Sequence, residues 1–268
     1  MGLLAVIGGS GFQRLGGFEV RAAEQPETPF GPPAAPVLRG LLAGHPLLFL
    51  ARHGEGHRLP PHRINYRANL WALHACGAGR VVGLAAVGGI GAGFAPRTFA
   101  IPDQLIDYTY GREHSFHDGG FNDDQSLPVT HVDFTDPYCP QLRAALLHAG
   151  AAAGVDATAT ATYGITQGPR LETAAEIRRM ERDGCDLVGM TGMPEAALAR
   201  ELGLRYASLA FVVNWAAGKT AGAITMTEIQ GHIAHCTGQV ERILAALAAA
   251  PGPDAEEFCP QMNANKRK

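Results

Sequence analysis

The chain has 268 residues, 46% of them hydrophobic and 18% charged, which is ample for one large domain with a sizeable core. A net charge of −3 leaves no strongly basic surface and argues against nucleic acid or an anionic membrane as the main partner, and no apolar run is long enough to span a bilayer. Cys76, Cys139, Cys185, Cys236 and Cys259 are scattered without a CxxC pair, which fits neither a zinc ribbon nor a disulfide framework and suits a reducing cytoplasm.

Leu3 to Ile7 reads as a first strand, with no basic leader before it, running into the turn Gly8-Gly9-Ser10-Gly11. The amides of that turn can approach an anion and Ser10 can donate to it. Neither GxGxxG nor a Walker loop is present, and a plain tight turn explains the glycines equally well. Gln25 to Pro36, rich in proline, reads as a loop.

Leu47 to Ala51 reads as a buried strand that delivers Arg52-His53-Gly54-Glu55-Gly56-His57 at its end, where open α/β sheets hold ligands. His53 and His57 have the spacing of a zinc pair on a helix. Gly54, Gly56, Pro60 and Pro61 disfavour that helix, and no third ligand stands at a suitable distance. An anion pocket around Arg52 is therefore favoured over a metal, with ordinary loop histidines as the plain alternative.

Helical patterns follow at Tyr66 to Cys76, Pro140 to Ala153, Thr173 to Asp183, Pro194 to Leu202 and Thr227 to Ala249. They alternate with strand-like runs at Val81 to Val87, Gln104 to Tyr108, Thr158 to Thr166, Leu187 to Gly189 and Tyr206 to Val213. This alternation predicts a mostly parallel sheet with helices on both faces. Gly77, Gly154, Gly184 and Gly203 stand where left-handed helix caps are wanted. Gly111 to Gln125 reads as a loop and residues 251–268 as a polar tail, which leaves 1–250 as the domain.

Four further places carry chemistry or a plainer reading. Ala86 lies in a strand-to-glycine junction that suits close ligand approach and tight strand packing alike. Glu172 opens a helix, where a carboxylate complements the dipole, and Thr191 is equally an ordinary helix N-terminal hydroxyl. Asn214 ends a buried run, an unusual place for an amide without partners.

Arg52-His53-Gly-x-x-His57, Asn65-Tyr66-x-Ala68-Asn69, Gly168-Pro169-Arg170 and Met190-Thr191-x-x-Pro194-Glu195 occur in one order over nearly the whole chain. Together they resemble the trimeric purine nucleoside phosphorylase and methylthioadenosine phosphorylase family. The resemblance implies a single α/β domain with a mixed central sheet flanked by helices, and a homotrimer. It also implies phosphorolysis of a purine nucleoside with inorganic phosphate as co-substrate and neither metal nor organic cofactor.

By that resemblance Ser10, Arg52, His53, His57, Ala86 and Thr191 hold phosphate, with His53 and Asn214 catalytic. Leu171, Glu172, Met190, Asn214, Met226 and Ile229 meet the nucleoside, while His131 comes from a neighbouring subunit over the 5′ group. Asn214 with Glu172 matches the 6-oxopurine branch, in which a carboxylate accepts from purine N1–H but would face a lone pair on adenine. Met226, at a position where the nucleoside branch has a histidine, favours a 5′-methylthio group. The two ends together predict 5′-methylthioinosine as substrate, with methylthioadenosine, inosine or guanosine as alternatives and a non-catalytic nucleoside-binding protein as the reading from another class.

Overall fold

The structure is a computed structural model that describes residues 2–117 and 131–250. The expected tail, Cys259 and the second half of the 111–125 loop lie outside the described residues.

The elements run β1 (Leu3–Gly8), β2 (Phe18–Glu24), β3 (Val37–Leu42), β4 (His45–Ala51), α1 (Tyr66–Ala75), β5 (Ala78–Gly89), β6 (Phe99–Ala100) and β7 (Gln104–Asp107). They continue with α2 (Pro140–Ala152), β8 (Ala157–Thr158), β9 (Thr162–Ile165), α3 (Ala174–Arg182), β10 (Leu187–Gly189), α4 (Gly192–Glu201), β11 (Arg205–Trp215) and α5 (Met226–Ala249). All strands join one sheet, and its centre is the parallel array β4-β1-β5-β11. Antiparallel pairs β2/β3, β3/β4, β5/β10 and β6/β11 make the sheet mixed, as the resemblance implies, while the parallel pairs remain the majority, as the alternation predicts.

Period-two alternation on the central strands feeds two cores. Val81, Ala85 and Val87 of β5 face the layer of α1 and α4, whereas Val82 and Leu84 face that of α2 and α5. Helix ends follow local chemistry: Asn65 caps α1 by accepting from Ala68 N at 3.1 Å, and Thr173 with Glu176 forms a reciprocal capping box on α3. Gly77, Gly154, Gly184 and Gly203 all take positive φ at the predicted caps.

Sequence patterning missed β2 and β3. β3 turns back into β4 through Ala43 and Gly44, both at positive φ, and β2 is exposed along most of its length, so its alternating Phe18, Val20 and Ala22 mark no buried face. The single strand expected over 158–166 is two, because Asp103 takes the Ala161 N–H at 2.8 Å between β8 and β9. Among the described residues no helix is long and apolar enough to cross a membrane.

Candidate active site

The carboxyl ends of β1, β4, β5 and β11 converge on a cavity of about 430 Å³. It gathers every sequence-predicted site residue except His131, which is exposed and lies outside it. Ligand pockets of open sheets form where strand ends part in this way.

Ser10, Arg52, His53, Ala86 and Thr191 all line this cavity, as does the exposed His57. Thr191 is the N-cap of α4 yet makes no side-chain cap bond, so its hydroxyl is not consumed by the helix start.

Arg52, read from the sequence as the cation of an anion pocket, already holds a carboxylate partner. It is 2% exposed, and its Nε and Nη2 donate to the two oxygens of fully buried Glu195 at 2.7 Å each, while Nη1 donates to Leu84 O at 2.8 Å. Tyr206 Oη donates to Glu195 Oε1 at 2.7 Å. Burial opposes the guanidinium charge, but Glu195 more than offsets it and holds the Arg52 pKa above its usual range. Of five guanidinium N–H groups, three are committed and two remain for a ligand. Gly83 is required beside this cluster, since a Cβ there would lie 2.7 Å from Glu195 Oε1.

The two histidines stack, with ring centroids 4.0 Å apart and planes 20° off parallel, rather than converging as metal ligands. His53 Nδ1 lies 2.8 Å from Leu59 O; a carbonyl only accepts, so Nδ1 carries the proton and Nε2 is the ring's free acceptor. Burial first and the Arg52 charge second push His53 down to about 4.

This shift has a stability consequence. Between pH 6.5 and about 4 the unfolded chain protonates this ring while the folded one does not, so stability falls as pH falls through that window, by up to about 3 kcal/mol. Denaturant titrations should show a steeper acid loss in the parent than in His53→Asn. Parallel acid profiles would refute the buried neutral ring.

Glu172, Leu171 and Asn214 also line the cavity. Burial raises the Glu172 pKa, and the Thr166 hydroxyl, donating to Oε1 at 2.6 Å, works the other way by favouring the carboxylate. Asn214 owes its place to a bulge: Val212 pairs with Val87 and Asn214 with Gly88, so Val213 is an extra residue that re-aims the strand end. Asn214 Nδ2 donates to Trp215 O at 2.8 Å, which leaves its second N–H and its carbonyl uncommitted. Met190 lies on the loop before α4, and Ile224, just before α5, joins Met226, Ile229 and Ile233 of that helix in an apolar lining.

The Asn-Tyr-x-Ala-Asn motif is scaffold rather than site. Asn65 Nδ2 donates to Phe30 O at 2.7 Å and Asn69 Oδ1 accepts from Ala34 N at 2.7 Å, which pin the proline-rich loop to α1, while Tyr66 Oη donates to Pro61 O at 3.1 Å just before the helix.

Residues 3–249 match the family model described as the phosphorylase superfamily. The chain belongs to the phosphorylase superfamily. Within that superfamily it is 52% identical to a probable S-methyl-5′-thioinosine phosphorylase of Xanthomonas campestris pv. campestris, over 91% of this chain and 96% of the relative. It is 41% identical to a 6-oxopurine nucleoside phosphorylase of Pyrococcus furiosus, over 96% and 95% respectively. A crystal structure of an adenosine/methylthioadenosine phosphorylase mutant from Schistosoma mansoni, in complex with methylthioadenosine, superposes with a TM-score of 0.89 at 30% identity, covering 99% of this chain and 96% of that one. Sequence reasoning missed the partners of the site: Glu195 and Tyr206 behind Arg52, Thr166 behind Glu172, and the bulge behind Asn214.

Proposed function

We propose that this phosphorylase cleaves 5′-methylthioinosine with inorganic phosphate, giving hypoxanthine and 5-methylthio-α-ribose 1-phosphate. One observation carries the reading: a single cavity joins an anion cradle, a carboxylate–carboxamide pair and an apolar wall. The similarity to probable S-methyl-5′-thioinosine phosphorylases supports it.

A phosphate oxygen, held by Ser10, Thr191, the Ala86 amide and the two uncommitted Arg52 N–H groups, attacks C1′ as the C1′–N9 bond breaks. His53 Nε2 accepts from the phosphate hydroxyl. The purine takes the electron pair, and the Asn214 N–H steadies the charge that gathers at N7. Glu172 accepts from N1–H, Leu171 covers the base, and Met190 lies beneath the sugar. Met226 and Ile229 receive the methylthio group. We assign no metal and no organic cofactor to this chemistry, residues 1–250 to the catalytic domain, and 251–268 to a tail.

We also propose a homotrimer in which His131, exposed in the single chain, reaches over the neighbour's 5′ group. A reducing cytoplasm suits Cys76, Cys139, Cys185 and Cys236, which are buried and form no disulfide among the described residues.

A second reading, methylthioadenosine, draws on one observation. A Glu172 carboxyl with a raised pKa can, once protonated, donate to adenine N1. The deciding measurement is kcat/KM for methylthioinosine, methylthioadenosine and inosine with phosphate in excess. We expect methylthioinosine to lead both. A marked lead for methylthioadenosine overturns the base assignment, and equal use of inosine overturns the 5′ assignment.

A further inference from the structure

Arg112 lies outside the cavity, beyond β7, in a segment the sequence offers only as loop. Its guanidinium gathers backbone oxygens from two separate loops. Nη1 donates to Met190 O at 2.9 Å and Met193 O at 2.6 Å; Nη2 donates to Gln167 O at 2.8 Å and Thr166 O at 3.2 Å. Nε donates to Gln167 Oε1 at 3.0 Å, and the guanidinium carbon sits 5.5 Å from the Tyr66 ring centroid.

Those two loops carry different parts of the site. Thr166, which donates to Glu172 Oε1, stands on one, and Met190 and Thr191 stand on the other. Carbonyl dipoles turned toward one another repel, so the loops hold this spacing only around a donor. A planar fork with five N–H groups satisfies several acceptors from one rigid centre, which a single-point ammonium does not.

We propose that Arg112 is a positioning residue that sets the distance between the base-recognising Glu172 and the Met190–Thr191 pair, acting on Glu172 through Thr166. This rests on the nucleoside reading of the cavity. A loop displacement of about 1 Å costs on the order of 10²-fold in rate when reacting groups must be aligned. A residue that merely braces the fold would instead lower Tm and leave substrate preference intact.

The test measures Tm, phosphate KM and kcat/KM for methylthioinosine and methylthioadenosine in the parent, Arg112→Ala, Arg112→Lys and Thr166→Val. In Arg112→Ala we expect kcat/KM for methylthioinosine to fall on the order of 10²-fold, phosphate KM to rise, and the ratio between the two nucleosides to shrink. Lysine should restore little, whereas added guanidinium ion should restore activity to Arg112→Ala where an equal concentration of sodium chloride does not. Thr166→Val, which keeps the backbone carbonyls, should shrink the same ratio and stands as the test should Arg112→Ala not fold. An active parent whose variants keep the nucleoside ratio, whatever their Tm, overturns the role assigned to Arg112. A parent that phosphorolyses neither nucleoside overturns the site reading and this proposal with it.

Discussion

Glu195→Ala is expected to lower the unfolding free energy by about 3–5 kcal/mol, because it strands a guanidinium that is itself almost wholly buried. Two hydrogen bonds from Arg52 and one from Tyr206 lose their acceptor at once. Urea titration with an unchanged m-value would register the loss as native-state destabilisation. The double change Arg52→Met with Glu195→Met separates stability from function. Apolar residues of similar volume often replace a buried pair without cost, so much of the lost stability should return, while phosphate binding should not. A loss below about 1 kcal/mol in Glu195→Ala would show that the pair is not buried as described.

Asn214→Ala is expected to reduce kcat/KM by roughly 10²–10³-fold, the cost of removing one aimed donor from a site of developing negative charge. The affected quantity should be kcat more than KM, because the purine gathers charge only as its bond to the sugar lengthens. Asn214→Asp tests the same position differently. A carboxyl there donates when protonated and accepts from a 6-amino group when ionised, so preference should move toward methylthioadenosine. Unchanged ratios in Asn214→Asp would remove this side chain from base recognition.

The framework was readable because strand ends and helix ends carry local chemistry. Buried runs that stop at Gly8, Ala51 and Asn214 mark where β1, β4 and β11 open, and the cap glycines mark where helices close. What stayed hidden depends on partners far along the chain. Arg52 and Glu195 are 143 residues apart, and no spacing rule pairs them. Arg112 binds main-chain oxygens, which every residue type possesses, so no side-chain pattern points to it. The bulge at Val213 leaves no compositional trace, since a valine suits a regular strand just as well. Edge strand β2 was missed for the opposite reason: its exposed, charge-bearing face protects the sheet margin and so lacks the apolar run that reveals inner strands.

Because Glu195 balances Arg52 and the His53 imidazole is neutral, the cradle offers a dianion directed N–H and O–H dipoles rather than surplus charge. Capture of the co-substrate then owes little to long-range steering and should be slowed only weakly by added salt. The same balance favours departure: a sugar phosphate formed in such a place is released by breaking a handful of short contacts, with no Coulombic well to climb out of, which suits an enzyme that must empty itself after every turnover.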